Sequence, residues 1–150
     1  MTSLTTVSRR DALCLTAAAF ALAPGLAHAD AAAVEAELRK LYGDRKPGSG
    51  KIKLDVPQIA ENGLVVPISV EVESPMTEKD HVKTVHVFAD GNPLPGIASF
   101  RFTPACGKAA ASTRMRLAQT QNIVAIAEMA DGSLFSTMSE VKVTIGGCGG

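Results

Sequence analysis

The chain has 150 residues, with 15 acidic and 15 basic side chains, 46% hydrophobic and 20% charged residues. That length and apolar content give one domain with a real core and exclude a disordered chain. A formal charge of zero, with one Tyr, five Phe and no Trp, argues against a polyanionic partner and against nucleic-acid binding, and three scattered cysteines make neither a disulfide scaffold nor a zinc site.

The N-terminus reads as an address. Arg9 and Arg10 precede an Ala-rich apolar run at 12–27, followed by Ala27-His28-Ala29 and then Asp30. This is the layout of an export signal, and the paired arginines point to the twin-arginine route into the periplasm, with cleavage expected between Ala29 and Asp30. The run is shorter than the ~20 residues a membrane-spanning helix needs and is broken by Pro24 and Gly25, so no stable membrane anchor is expected. Cys14 is not a lipoprotein cysteine, because Leu13 stands where a small residue is required. It leaves with residues 1–29, so only Cys106 and Cys148 reach the mature protein. The twin-arginine route carries folded proteins, which serves a bound cofactor or a partner lacking its own signal.

Residues 31–42 predict a helix whose stripe is Val34, Leu38 and Leu41, stopped by Gly43 and followed by a flexible link at 46–50. From Ile52 the period changes to two. Strands are expected at 52–56, 66–72, 82–89, 97–103, 109–117, 121–129 and 134–145, with turn signals at Glu61-Asn62-Gly63, Asp90-Gly91-Asn92-Pro93 and Asp131-Gly132. Pro67 has no N–H for a ladder, which places its strand at an edge or a bulge. Residues 121–129 are apolar on both faces, as in a central strand. The fold expected is all-β: an immunoglobulin-like β-sandwich of about seven strands at 30–145, with a short N-terminal helix and a flexible glycine-rich C-terminal arm at 146–150.

Most catalytic chemistry lacks its residues. His81 and His86 stand five apart in a strand region and face opposite sides, so no metal is expected there. There is no nucleophile elbow and no phosphate loop. Cys106 lies in a loop, and two readings stand for it: a half-buried inert thiol, or a disulfide partner of Cys148.

Cys148 sits between Gly146-Gly147 and Gly149-Gly150. Four readings are open to this thiol. A bare thiol in an oxidising compartment is a poor accident. A prenylation box needs the cysteine fourth from the end. An activated terminal glycine belongs to ATP-dependent chemistry and a different fold. A covalent carrier fits: the glycines leave the thiol sterically bare, and five extended residues reach at most about 17 Å, enough to thread a narrow channel in another enzyme. A structural or chaperone-like immunoglobulin module, or a thiol redox sensor pairing Cys106 with Cys148, is the alternative.

The chain resembles the SoxY family, the sulfur-carrying subunits of the bacterial Sox thiosulfate-oxidising system. The resemblance rests on the twin-arginine signal, the helix and sandwich, DVPQIAENGLVVPISVEVESPMTEKDHVKTVHVFADGNP at 55–93, STRMRLAQTQNIVAIAEMADGS at 112–133 and GGCGG at 146–150. It implies a non-catalytic carrier holding a sulfur intermediate on Cys148. It implies a heterodimer with a SoxZ subunit, loading by the c-type cytochrome SoxAX, sulfate release by the hydrolase SoxB, and in some organisms oxidation by the sulfane dehydrogenase SoxCD. Haem, manganese and molybdenum would belong to those enzymes, with no cofactor on this chain. The family's mature proteins usually carry one cysteine, so Cys106 is a departure. The strands at 66–72 and 121–129 are candidate partner faces.

Overall fold

The computed structural model describes residues 31–145; the expected signal (Arg9, Arg10, Ala29, Asp30) and the expected arm (Gly146, Gly147, Cys148, Gly149, Gly150) lie outside the described residues. Helix α1 spans Ala31–Tyr42, and the strands are β1 (Gly48–Ser49), β2 (Ile52–Asp55), β3 (Ile59–Ala60), β4 (Val66–Val72), β5 (Val82–Ala89), β6 (Gly96–Arg101), β7 (Ala109–Met115), β8 (Gln121–Met129) and β9 (Leu134–Val143). They form two facing sheets, one ordered β1-β9-β8-β5-β6 with β3 also on β9, the other β2-β4-β7. This is the expected sandwich.

The core follows from alternation. Val66, Ile68, Val70 and Val72 of β4 point inward against Val85 and Val87 of β5 and Ile123, Ala125 and Ala127 of β8, and all are at most 3% exposed. Strand β8 runs between β9 and β5, as its two apolar faces require. Its outer face is covered by α1: Tyr42, Ile126 and Leu134 pack together with Leu38 and Val124. The helix stripe is therefore Val34, Leu38 and Tyr42, while Leu41 is exposed, a correction to the expected stripe. Positions i, i+4 and i+8 lie within about 80° of arc on a helix of 3.6 residues per turn, so the sheet meets this side and leaves the i+7 position on the wet side. Gly43 ends the helix at φ +65°, its N–H reaching Arg39 O at 2.9 Å. Arg45 then fixes the helix to the sheet: Nη1 donates to Gly132 O at 3.0 Å and contacts Glu128 Oε1 at 3.4 Å, and Nε donates to Tyr42 O at 3.1 Å.

Two expectations need adjusting. The link at 46–50 contains β1, which pairs in parallel with Phe135 and Ser136 of β9. Strand β4 as a whole is the centre of its sheet. At Pro67, however, it has a neighbour on one side only, because β2 pairs with 69–72 and stops there while β7 continues opposite Pro67 at Arg114. The missing N–H thus costs nothing on the side without a partner.

Candidate functional site

The described chain approaches the glycine-cysteine segment along β9, and what holds β9's last residues defines the site's base. Lys142 N–H donates to Gln58 O at 2.9 Å, Thr144 N–H to Ala60 O at 3.1 Å, and Gly63 N–H to Ile145 O at 2.8 Å. From the other side, Val143 N–H donates to Thr120 Oγ1 at 2.9 Å, and Thr144 Oγ1 donates to Glu61 O at 2.9 Å. Every residue from Lys142 to Ile145 is tied to the sandwich by its backbone. The chain is therefore fixed up to Ile145.

A buried polar network braces the same end. Gln121, 5% exposed, accepts the Gly91 N–H at 2.7 Å and donates to Asn92 Oδ1 and Gln119 O at 3.0 Å each. Asn92 donates to Arg116 O at 2.8 Å and accepts Ala118 N–H at 3.0 Å. Leu117 N–H reaches Gly63 O at 2.8 Å. The loops at 90–95, 116–120 and 61–65 are thus one hydrogen-bonded body with the end of β9. A Cβ on Gly91 would lie 2.9 Å from Gln121 Cβ, which is why glycine stands there. None of these clamps was singled out from the sequence. The available signal was a run of amides, Gln119, Gln121, Asn122 and Asn92, beside apolar strands, since buried polar side chains must find partners.

Cys106 is exposed rather than half-buried. It closes a short 3-10 turn at Pro104–Cys106, and hydrogen bonding from the backbone and hydroxyl of Thr103 lowers the thiol below its ordinary value. Phe102 is bonded to Lys83 at the start of β5, whereas Ile145 lies beyond the level of Ala89 at that strand's other end, a separation of about 20 Å along the strand. Cys106 and the last described residue of the chain thus stand at opposite ends of the sandwich.

The two histidines are occupied separately: His81 Nδ1 lies 3.1 Å from Thr77 O, and His86 Nδ1 lies 2.7 Å from Ser99 Oγ. Burial lowers the His86 pKa. Among the described residues, no three His, Cys, Asp or Glu side chains gather as a metal site would require, and no helix is long and apolar enough to cross a membrane. A cleft of about 410 Å³ lies between α1 and the β8–β9 hairpin, lined by Leu38, Tyr42, Pro47, Ile126 and Leu134. Leu134 begins β9 and Ile145 follows its end, so the cleft is about 35 Å along the strand from where the arm departs.

The described residues form an immunoglobulin-like sandwich locked at the end reached by Ile145, and the sequence continues from there into Gly146-Gly147-Cys148. The family model described as "Sulfur oxidation protein SoxY" matches residues 38–148, so the chain belongs to the SoxY family. The matched span ends on Cys148. The sulfur carrier protein SoxY from Chlorobium limicola f thiosulfatophilum is 32% identical, with 77% of this chain and 100% of that chain covered and a TM-score of 0.65. A superoxide reductase (neelaredoxin) from Ignicoccus hospitalis is 16% identical over 63% of this chain and 80% of its own, at a TM-score of 0.56. The superoxide reductase from Nanoarchaeum equitans is 17% identical over 64% and 98%, at 0.51. These two share the fold alone. No curated protein matches the sequence.

Proposed function

We propose that this protein is a periplasmic sulfur carrier that holds thiosulfate-derived intermediates covalently on Cys148 and performs no catalysis itself. The observation that carries the reading is the clamped end of β9, followed in sequence by Gly146-Gly147-Cys148, the last residues of the family match, and by Gly149-Gly150. Export by the twin-arginine route through Arg9 and Arg10, with cleavage after Ala29, places it where thiosulfate is oxidised. A signal-less SoxZ-type subunit folded with it would be carried along.

The chemistry assigned to Cys148 is simple. Its thiol loses a proton and its Sγ bonds to the outer sulfur of thiosulfate, an oxidation that releases two electrons, which a SoxAX-type c-type cytochrome would take up one at a time. Water then cleaves the bond to the sulfonate at a SoxB-type hydrolase. Sulfate leaves, and a persulfide remains on Cys148 for a SoxCD-type dehydrogenase where one is present. The carrier supplies reach and steric thinness. Gly146, Gly147, Gly149 and Gly150 put no side chain between the thiol and a channel wall. No cofactor is assigned to this chain.

Intact-mass analysis of protein recovered from thiosulfate-grown cells tests the reading. Sulfur and sulfonate adducts are expected on the wild-type C-terminal peptide and are expected to disappear in Cys148→Ser, with fold and subunit pairing unchanged. Adducts that persist in Cys148→Ser, or a wild-type peptide that is always bare, would show that Cys148 is not the carrier site.

A further inference from the structure

Three dipeptides in the chain carry labile backbone chemistry: Asn62-Gly63, Asp90-Gly91 and Asp131-Gly132. In each, the glycine nitrogen can attack the carbonyl carbon of the preceding side chain, because glycine has no side chain to block the approach. Asn62-Gly63 is the only Asn-Gly in the sequence. There the attack forms a cyclic imide. The new C–N bond replaces the bond to the side-chain amide, which leaves as ammonia with the proton from Gly63. Water then opens the ring at one carbonyl or the other, giving aspartate or isoaspartate. The sequence of steps needs no oxidant, metal or enzyme.

The fold withholds the nucleophile. Gly63 is buried, its N–H donates to Ile145 O at 2.8 Å, and its carbonyl accepts the Leu117 N–H at 2.8 Å. An amide N–H held by a carbonyl and cut off from water does not lose its proton, so its nitrogen does not attack. Asn62 is exposed, but its Oδ1 is engaged by the Leu64 N–H at 2.8 Å. The two Asp-Gly pairs are held in the same way, with the Gly91 N–H on Gln121 Oε1 at 2.7 Å and the Gly132 N–H on Met129 O at 3.0 Å. Those two locks belong to β8, a strand paired on both sides. The lock on Gly63 is Ile145, the last described residue, and chain ends open more readily than paired strands.

The geometry points to Asn62 as a deamidation site whose rate is set by how often the end of β9 lets go of Gly63. This goes beyond the carrier reading and does not depend on it. Opening frees the Gly63 N–H and admits hydroxide; closure silences the site. The modification acts in one direction. Isoaspartate inserts a methylene into the main chain between residue 62 and Gly63, which moves the Gly63 N–H from Ile145 O and its carbonyl from the Leu117 N–H together. It also places a carboxylate beside Glu61. The modified turn closes on β9 less well than the original, so a transient opening becomes a lasting one.

Peptide mapping of the intact protein, aged at mildly alkaline pH, tests the proposal by following aspartate and isoaspartate at position 62. Native wild type should deamidate there at least about a hundredfold more slowly than the same chain in urea, the protection of an amide reached only by local unfolding. Thr120→Val removes the side-chain bonds to the Val143 N–H and carbonyl, and Thr144→Val removes the bond to Glu61 O. Each should speed native deamidation about fivefold, the scale of a lost hydrogen bond, and leave the rate in urea unchanged. Preserved hydrogen-exchange protection of β8 identifies these variants as folded. Wild type converted to isoaspartate by ageing should exchange the Gly63 and Leu117 amides faster than fresh protein, with β8 unaffected. Native and urea rates within about twofold of each other, folded clamp variants that deamidate no faster than wild type, or unaltered exchange at Leu117 after conversion would each overturn the proposal.

Discussion

Tyr42 shows how a single side chain can report on the whole fold. Its ring is 7% exposed, edge-on to His86 with centroids 5.9 Å apart, and Arg45 sits 5.4 Å from its centroid. The hydroxyl has no hydrogen-bond partner. Burial, reinforced by the charge of Glu128, pushes its pKa up to about 12 from 10.0. The folded state therefore holds the proton more tightly than the unfolded chain. That stability is fully present below pH 10 and is lost as pH rises from about 10 to about 12, amounting to about 1–2 kcal/mol once water's residual screening is allowed for. In urea titrations, Tyr42→Phe should flatten the stability profile across this window relative to wild type. At pH 7 it should be neutral, or stabilising by up to about 1 kcal/mol, because it deletes an unpaired buried hydroxyl. A marked loss at pH 7 would mean the hydroxyl has a partner after all.

At the level of elements, the loops at the arm's root are the part most dependent on specific polar atoms. Gln121→Ala removes three hydrogen bonds and leaves the Gly91 N–H and part of Asn92 buried without partners. A loss of about 2–3 kcal/mol is expected, seen as a lower urea midpoint at constant slope. A change under about 0.5 kcal/mol would mean the network is not bracing this end. The seven expected strands were readable from alternation or a continuous apolar run, because each turns apolar positions toward the core, fully buried on β4, β5 and β8 and only partly so on β2 and β6. Strands β1 and β3 were not readable, since two residues have no period and both owe their pairing to β9. Apolar outward positions on β8, such as Ile126, pointed to cover without naming it, and the cover is α1. The exposure of Cys106 was hidden because a turn's solvent access depends on which end of the sandwich it occupies.

For the whole molecule, the separation of the two thiols matters most. With Cys106 and the arm's root at opposite ends, non-reducing peptide mapping of oxidised monomer should yield no 106–148 linkage, and Cys106→Ser should leave sulfur loading of Cys148 unchanged. Recovery of that cross-link from a single chain would show that the ends are not so placed. The pairing of β9 has a mechanical consequence as well. Strand β9 is bonded to β8 along its length and to β3 near its exit, and the arm continues from its tip. A pull from the arm runs along β9, across hydrogen bonds that lie perpendicular to it. Those bonds bear the load together in shear instead of parting one at a time, so a force applied beyond Ile145 is resisted by the whole length of the strand.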